Sequence, residues 1–407
     1  HQFATLCVFL ATVAASAALF ILIPKGFFPQ QDTGAIFGLA ESSQDSSFDA
    51  MNQRMLALAD VLREDPDVAA FGMSSNAPTF NTGRFFISLK PREAGRRASA
   101  DEVIRRLRPR LEHVPGVRLF MQAGQDINVG GRLSRTQYQY TLTSANLEEL
   151  NTWAPRLLER FRGLPQLADL ATDQQNGANT AMVTIDRGRA AMFGITPAMI
   201  DGTIYNALGQ RQAAQYSTQI NSYQVVLEIT PELQSDPAVF SHLYVKSPLT
   251  GEQVPLSSLT RVDTSKPGFL SINHQGQFPA VTISFNLAAG YSLGQAVDAI
   301  HAAQAAMGLP LSIQGAFQGT AKVFQESLAT QPYLIAAALV AVYIVLGLLY
   351  ESYIHPVTIL STLPSAGVGA LLALMLFKTE FSLIALIGVI LLIGIVKKNA
   401  IMMIDFA

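Results

Sequence analysis

Residues 381–407 read FSLIALIGVILLIGIVKKNAIMMIDFA. From Phe381 to Ile404 the only charges are Lys397 and Lys398. Read as a helix, the stretch places Lys397 about 24 Å along the axis from Phe381. Apolar residues resume after the lysines, which leaves two readings. Both ammonium groups snorkel to an interface, or one lies inside the span and has a partner or a task, because a buried cation is costly. Adjacent residues differ by about 100° around a helix, so the two lysines do not share a face. Gly394, Lys398 and Asp405 fall close to one face, where the glycine admits a neighbouring helix.

Working outward, three more stretches lack charge: Thr5–Pro24, Ala329–Tyr350 and Pro356–Phe377. Thr5–Pro24 spans about 30 Å as a helix, one hydrocarbon thickness. It lacks the basic flank and the A-x-A end of a signal peptide. Membrane spans are therefore expected at residues 1–24, 329–350, 356–377 and 381–407. The links Glu351–His355 and Lys378–Glu380 suit only helical hairpins. Ala366, Gly367, Gly369, Ala370 and Ala373 permit close helix packing in the third span. Cys7, within an apolar helix, reads as a buried small residue. The chain opens on His1 and stops inside the last helix, so both ends are expected to continue in a longer protein.

The whole chain has 407 residues, of which 49% are hydrophobic and 14% charged. That balance excludes a disordered chain, a coiled coil and a fibre. A single cysteine excludes a disulfide framework and a cysteine-built zinc site. A net charge of −2 speaks against a nucleic-acid partner. No phosphate-cradling loop, metalloprotease motif or nucleophile elbow occurs, and the histidines are scattered. No enzyme activity, metal or cofactor is expected.

Residues 25–328 have soluble character and read as repeated αβ units. Strands are expected at 35–40, 67–73, 84–89 and 117–121. Helices are capped by Ser47 and Ser99, with Met51, Met55, Leu58 and Leu62 on one face of the first. The order is βαββαβ, the split ferredoxin-like pattern. A second unit begins at 136–142, continues with a helix capped by Asn146 and a strand at 167–173, and resumes at 281–287, 292–307 and 311–314. Residues 180–278 thus read as an insertion, with a helix near 196–208 and a hairpin through 210–223. The hairpin's polar tip is either solvated or a contact arm. Phe71, Met73, Phe80, Phe85 and Phe86 flank the loop GMSSNAPTFNTG. Alternation requires about half of them in the core; an aromatic loop of this kind also lines adaptable apolar pockets.

The segments IPKGFFPQQDTG, VGGRLSRTQYQYTL, LYESYIHPVTIL and FSLIALIGVILLIGIVKKNAIMMIDFA resemble the resistance–nodulation–cell-division (RND) efflux pumps, most closely the Mdt-type multidrug subunits. The likeness runs from the seventh to the tenth transmembrane helix of such a pump. It implies a multi-pass α-helical protein of the Gram-negative inner membrane with α+β periplasmic porter subdomains and an inserted docking subdomain. Those would be residues 25–133, residues 134–179 with 279–328, and residues 180–278. It also implies a homo- or heterotrimer, a periplasmic adaptor, a TolC-like outer-membrane channel, and proton-driven export of amphiphilic drugs, bile salts or detergents. Residue 1 and Glu351–His355 would face the cytoplasm. Lys398 and Asn399 match the family's relay motif. Phe71, Met73, Phe80 and Phe86 match its aromatic drug pocket. Two alternatives remain: an export-type relative that translocates lipids or proteins, and a structural subunit that carries no protons.

Overall fold

Ser47 and Ser99 each accept a backbone N–H of the turn that follows, and each starts a helix. Ser99 does so in a full capping box with Glu102. In the computed structural model, which describes residues 2–29, 31–76, 79–126, 134–234, 236 and 238–405, these helices are α2 (Phe48–Arg63) and α3 (Ala100–Glu112). An earlier helix, α1, spans Gln2–Leu22. The strands between are β1 (Ala35–Ser42), β2 (Val68–Ser75), β3 (Thr82–Leu89) and β4 (Val117–Ala123). They pair antiparallel in the order β2-β3-β1-β4. Sequence order with this strand order is the βαββαβ arrangement read from the sequence. Met51, Met55, Leu58, Phe85, Ile87 and Leu107 fill the core between helices and sheet.

A second module repeats the plan. β5 (Tyr138–Thr143), α4 (Leu147–Arg162) and β6 (Leu167–Thr172) form its first half. Strand Phe278–Leu287, helix Leu293–Met307 and strand Gln314–Gln318 form its second. The strand Phe278–Leu287 sits between β5 and β6, and Gln314–Gln318 pairs with β5, giving the same relative order. The last strand was expected at 311–314 and lies later. Ile313 donates to the Pro310 carbonyl at 3.0 Å, so those residues turn before the strand begins.

Tyr140 is fully buried in this second core, edge-on to Phe161 and Phe317, and its hydroxyl bonds Gln304. Burial pushes its phenol up to about 12. Gly315 crosses directly over the ring; a Cβ there would fall inside the van der Waals radius of the hydroxyl. Gly315→Ala is therefore expected to cost about 3 kcal/mol of stability, the upper range for overpacking a rigid core. A thermal melt matching that of the unmutated protein would show that the strand yields.

By internal contacts the chain divides into His1–Gln175 with Ser271–Ala407, and Asn176–Leu270. The Asn176–Leu270 unit has its own core around Ile200, Phe240, Leu256 and Leu259. It carries helix Pro197–Leu208 and a hairpin of strands Arg211–Ser217 and Ser222–Leu227. Every residue of both hairpin strands is exposed, and Tyr216 stacks on Tyr223 with centroids 5.4 Å apart.

Among the described residues, three helical stretches are long and apolar enough to cross a membrane: Phe3–Leu22, Thr320–Tyr350 and Ile354–Leu376. A further helix covers Leu383–Asp405. Two differ from expectation. The second begins at Thr320 rather than 329, because Ala321 and Phe324 recur at helical spacing and seal the second module's core. One continuous helix of roughly 46 Å thus joins that core to the apolar span. The third is interrupted at Ser361–Thr362. Both hydroxyls turn back to carbonyls, at 2.7 and 2.8 Å, and Pro364 has no N–H to continue the ladder. Cys7 is exposed rather than buried, because the packed side of α1 is the one turned to helix Leu363–Leu376. Ser16 on that side donates to the Pro364 carbonyl at 2.9 Å.

The motif IPKGFFPQQDTG links these parts. Phe381 N–H donates to Pro24, Gly294 N–H to Lys25 and Leu383 N–H to Phe27. The Phe27 ring sits in the second module's core. Asp32 then reaches the first module, where it pairs with Arg96 at 2.9 Å and Arg92 at 2.8 Å.

Candidate functional site

Strand alternation sorts the aromatic residues of the first module onto opposite faces of its sheet. Phe85 and Ile87 turn inward and are buried. Phe86 turns outward and is 49% exposed. Its register neighbour on β1 is Phe37, 41% exposed and edge-on at 5.7 Å. On the other side Phe86 faces Gly72 of the edge strand β2, where a Cβ would meet nothing within 4 Å. The result is an uncovered aromatic ledge. Arg84, two residues from Phe86, and its neighbour Leu39 share the face.

The residues expected at a pocket do not all meet there. Phe71 lies beside Ile87, packs against the helix-side core and tilts onto Phe85 at 6.2 Å. Met73 pairs in register with Phe85, hence on the same side of the sheet, and is 38% exposed. Phe80 is 54% exposed in the loop before β3. That end of the loop is held by Asn81, fully buried, which donates to the Ser42 carbonyl at 3.1 Å. Only Phe86 of the four stands on the outward face, and Phe37 is its companion. The period-two pattern of AIFGLA, with Phe37 and Leu39 out of phase with Ile36 and Ala40, carried that signal.

The ledge ends at a polar seam with the second module. Arg135 forks onto Glu41 at 2.5 and 2.7 Å, and Gln175 reaches the same carboxylate at 3.3 Å. Arg108 bonds Asp169 at 2.7 Å, which also accepts from Asn286 at 3.0 Å. Arg108, Asp169 and Asn286 edge a cavity of about 30 Å³ with Arg118, Phe120 and Thr136. Among the described residues no group of three or more His, Cys, Asp or Glu could hold a metal ion.

In the last helix, Lys398 is exposed on a stripe with Ile384, Ile387, Leu391, Ile395 and Met402. Gly394 flanks that stripe with open space where a Cβ would be. The opposite side packs through Leu386, Val389 and Ile390. No described residue forms an ion pair with Lys398. The side chains of Lys397, Asn399 and Asp405 lie outside the described residues.

The model of the AcrB/AcrD/AcrF family matches residues 1–407. The chain belongs to that family. Its motifs and helices are thus those of the RND efflux transporter family. Two crystal forms of a heavy metal efflux pump share the fold, with TM-scores of 0.86 and 0.85 and sequence identities of 19% and 20%. Each comparison covers 99% of this chain and 42% of that one. The chain therefore spans less than half the length of the pump it resembles.

Proposed function

We propose that this chain forms the second-half core of a proton-driven transporter that exports amphiphilic small molecules across the Gram-negative envelope. The family match along the whole chain carries this reading. The Phe37–Phe86 ledge supports an amphiphile as cargo, because aromatic faces bind varied apolar bodies without fixed hydrogen-bond geometry. Residues 25–133, and 134–179 with 279–328, act as porter subdomains; residues 180–278 act as the docking subdomain. The exposed hairpin at Arg211–Leu227 suits a contact arm to another subunit of a trimer or to an outer-membrane channel, with an adaptor completing the assembly. Lys398 and Asn399 serve the proton relay, with carboxylates supplied from outside these helices.

A metal-ion cargo is the second reading, favoured by the fold shared with a heavy metal efflux pump. Proteoliposomes holding the full-length protein separate the two. An imposed proton gradient is expected to drive transport of a lipophilic dye, and a protonophore to stop it. Gradient-dependent movement of Cu(I) or Zn(II) without dye transport would overturn the amphiphile reading.

A further inference from the structure

We propose that Arg84 makes the aromatic ledge select anionic amphiphiles. The guanidinium would take a carboxylate, sulfate or sulfonate head while the apolar body lies on Phe37 and Phe86. The inference rests on the reading of this chain as an amphiphile exporter.

Three observations carry it. Arg84 occupies the outward face, in register with Leu39 on β1 and Ser74 on β2. Phe86, two residues on, is about 7 Å along the strand, so one ligand of modest length reaches both. Second, among the described residues no carboxylate pairs with the Arg84 side chain, and its buried Nε–H has no hydrogen-bond partner. A buried donor left unpaired is unfavourable and rare, and calls for an explanation. The nearest candidate on β1, Glu41, is already engaged by the fork of Arg135 and by Gln175. Third, arginines outnumber acids here among the described residues: Arg84, Arg118 and Arg135 stand beside one carboxylate, Glu41, which is in register with Arg118. Arg118, on the same face at β4, stacks its guanidinium over Phe120 at 4.8 Å rather than on an acid. An arginine fork matches the two oxygens of a carboxylate or sulfonate, and its planar cation tolerates apolar neighbours better than an ammonium.

Gly72 gives the second handle. It faces Phe86 from the edge strand, and a side chain there would enter open space. Gly72→Leu would cover the ring without disturbing the core.

The test uses the full-length protein in proteoliposomes under a proton gradient. The probes are taurocholate, the uncharged N-phenylnaphthylamine and the cationic rhodamine 6G. Arg84→Gln is expected to raise the taurocholate concentration for half-maximal transport about tenfold, as for loss of one charge-assisted hydrogen bond. The other two probes should shift less than about twofold, since neither offers an anionic acceptor. Arg84→Lys should fall between, and Gly72→Leu should weaken all three probes alike. In the unmutated protein, dodecyl sulfate should compete with taurocholate where dodecyltrimethylammonium does not; this measurement needs no variant to fold. Equal effects of Arg84→Gln on all probes, or no effect on taurocholate, would overturn the role of Arg84 alone. Absence of transport of every probe by the unmutated protein would overturn the amphiphile reading and this inference with it.

Discussion

Lys398→Ala is expected to lower proton-driven dye efflux by about a hundredfold at matched expression, the scale of removing one partner of a buried ion pair. Lys397→Ala is expected to keep most of the activity. The asymmetry follows from the helix Leu383–Asp405. Lys398 stands among Ile384, Ile387, Leu391, Ile395 and Met402, all about half exposed or more. The packed side, through Leu386, is turned to the other helices of this chain. An ammonium inside an apolar span needs a carboxylate or a polar path beside it, and the proposed relay puts Lys398 in that position. In the proposed transporter that carboxylate comes from a helix outside these residues, and its protonation would release the ammonium and let the helices rearrange. Position 397 lies about 100° away around the axis and off the stripe. Lys398→Arg should retain part of the efflux, because charge is kept while geometry changes. Undiminished efflux in Lys398→Ala would place proton coupling elsewhere.

The second large effect concerns stability. Arg96→Ala is expected to destabilise the first module by about 3–5 kcal/mol, the usual result of stranding the partner of a buried charge. The Arg96 side chain is almost wholly buried. It donates to Asp32 through two nitrogens, and to the carbonyls of Lys90 and Ala98. Burial alone would raise the Asp32 carboxyl. The bonds from Arg96 and Arg92 and from the Gly34 N–H outweigh it and hold the group down to about 2. The unfolded chain titrates near the ordinary 3.8. A depressed carboxyl of this kind stabilises the fold above the unfolded value. That stability is lost as pH falls from about 4 towards 2, and amounts to about 1–2 kcal/mol once solvent screening of Arg92 is allowed for. Asp32→Asn should therefore lower the melting temperature at pH 7 and flatten its dependence between pH 4 and 2. An unchanged slope would mean that other carboxylates govern acid unfolding.

Local signals in the sequence were enough for the element order. Uncharged runs of membrane length, cap residues such as Ser47, Ser99 and Asn146, and alternating strands are interactions within a few residues, so linear spacing records them. The motif IPKGFFPQQDTG was legible as a marker but not as a device. Its roles depend on Phe381, Gly294 and Arg96, which are distant in the chain.

The aromatic cluster shows the same boundary. Phe71 and Phe86 look equivalent around one loop, yet the pairing Gly72↔Phe86 puts them on opposite faces of the sheet. A one-residue slip of β2 in that register would turn Phe71 to the face that Phe86 occupies. The start of the long helix at Thr320 was hidden too, because Ala321 and Phe324 gain their burial only from the second module's core. The sequence by itself determined which segments are apolar helices, which are αβ modules and in what order they follow. Tertiary structure decided which face each side chain takes, which charge meets which, and that the Arg84 Nε–H is left unpaired among the described residues, because long-range register and packing set those outcomes and no local pattern encodes them.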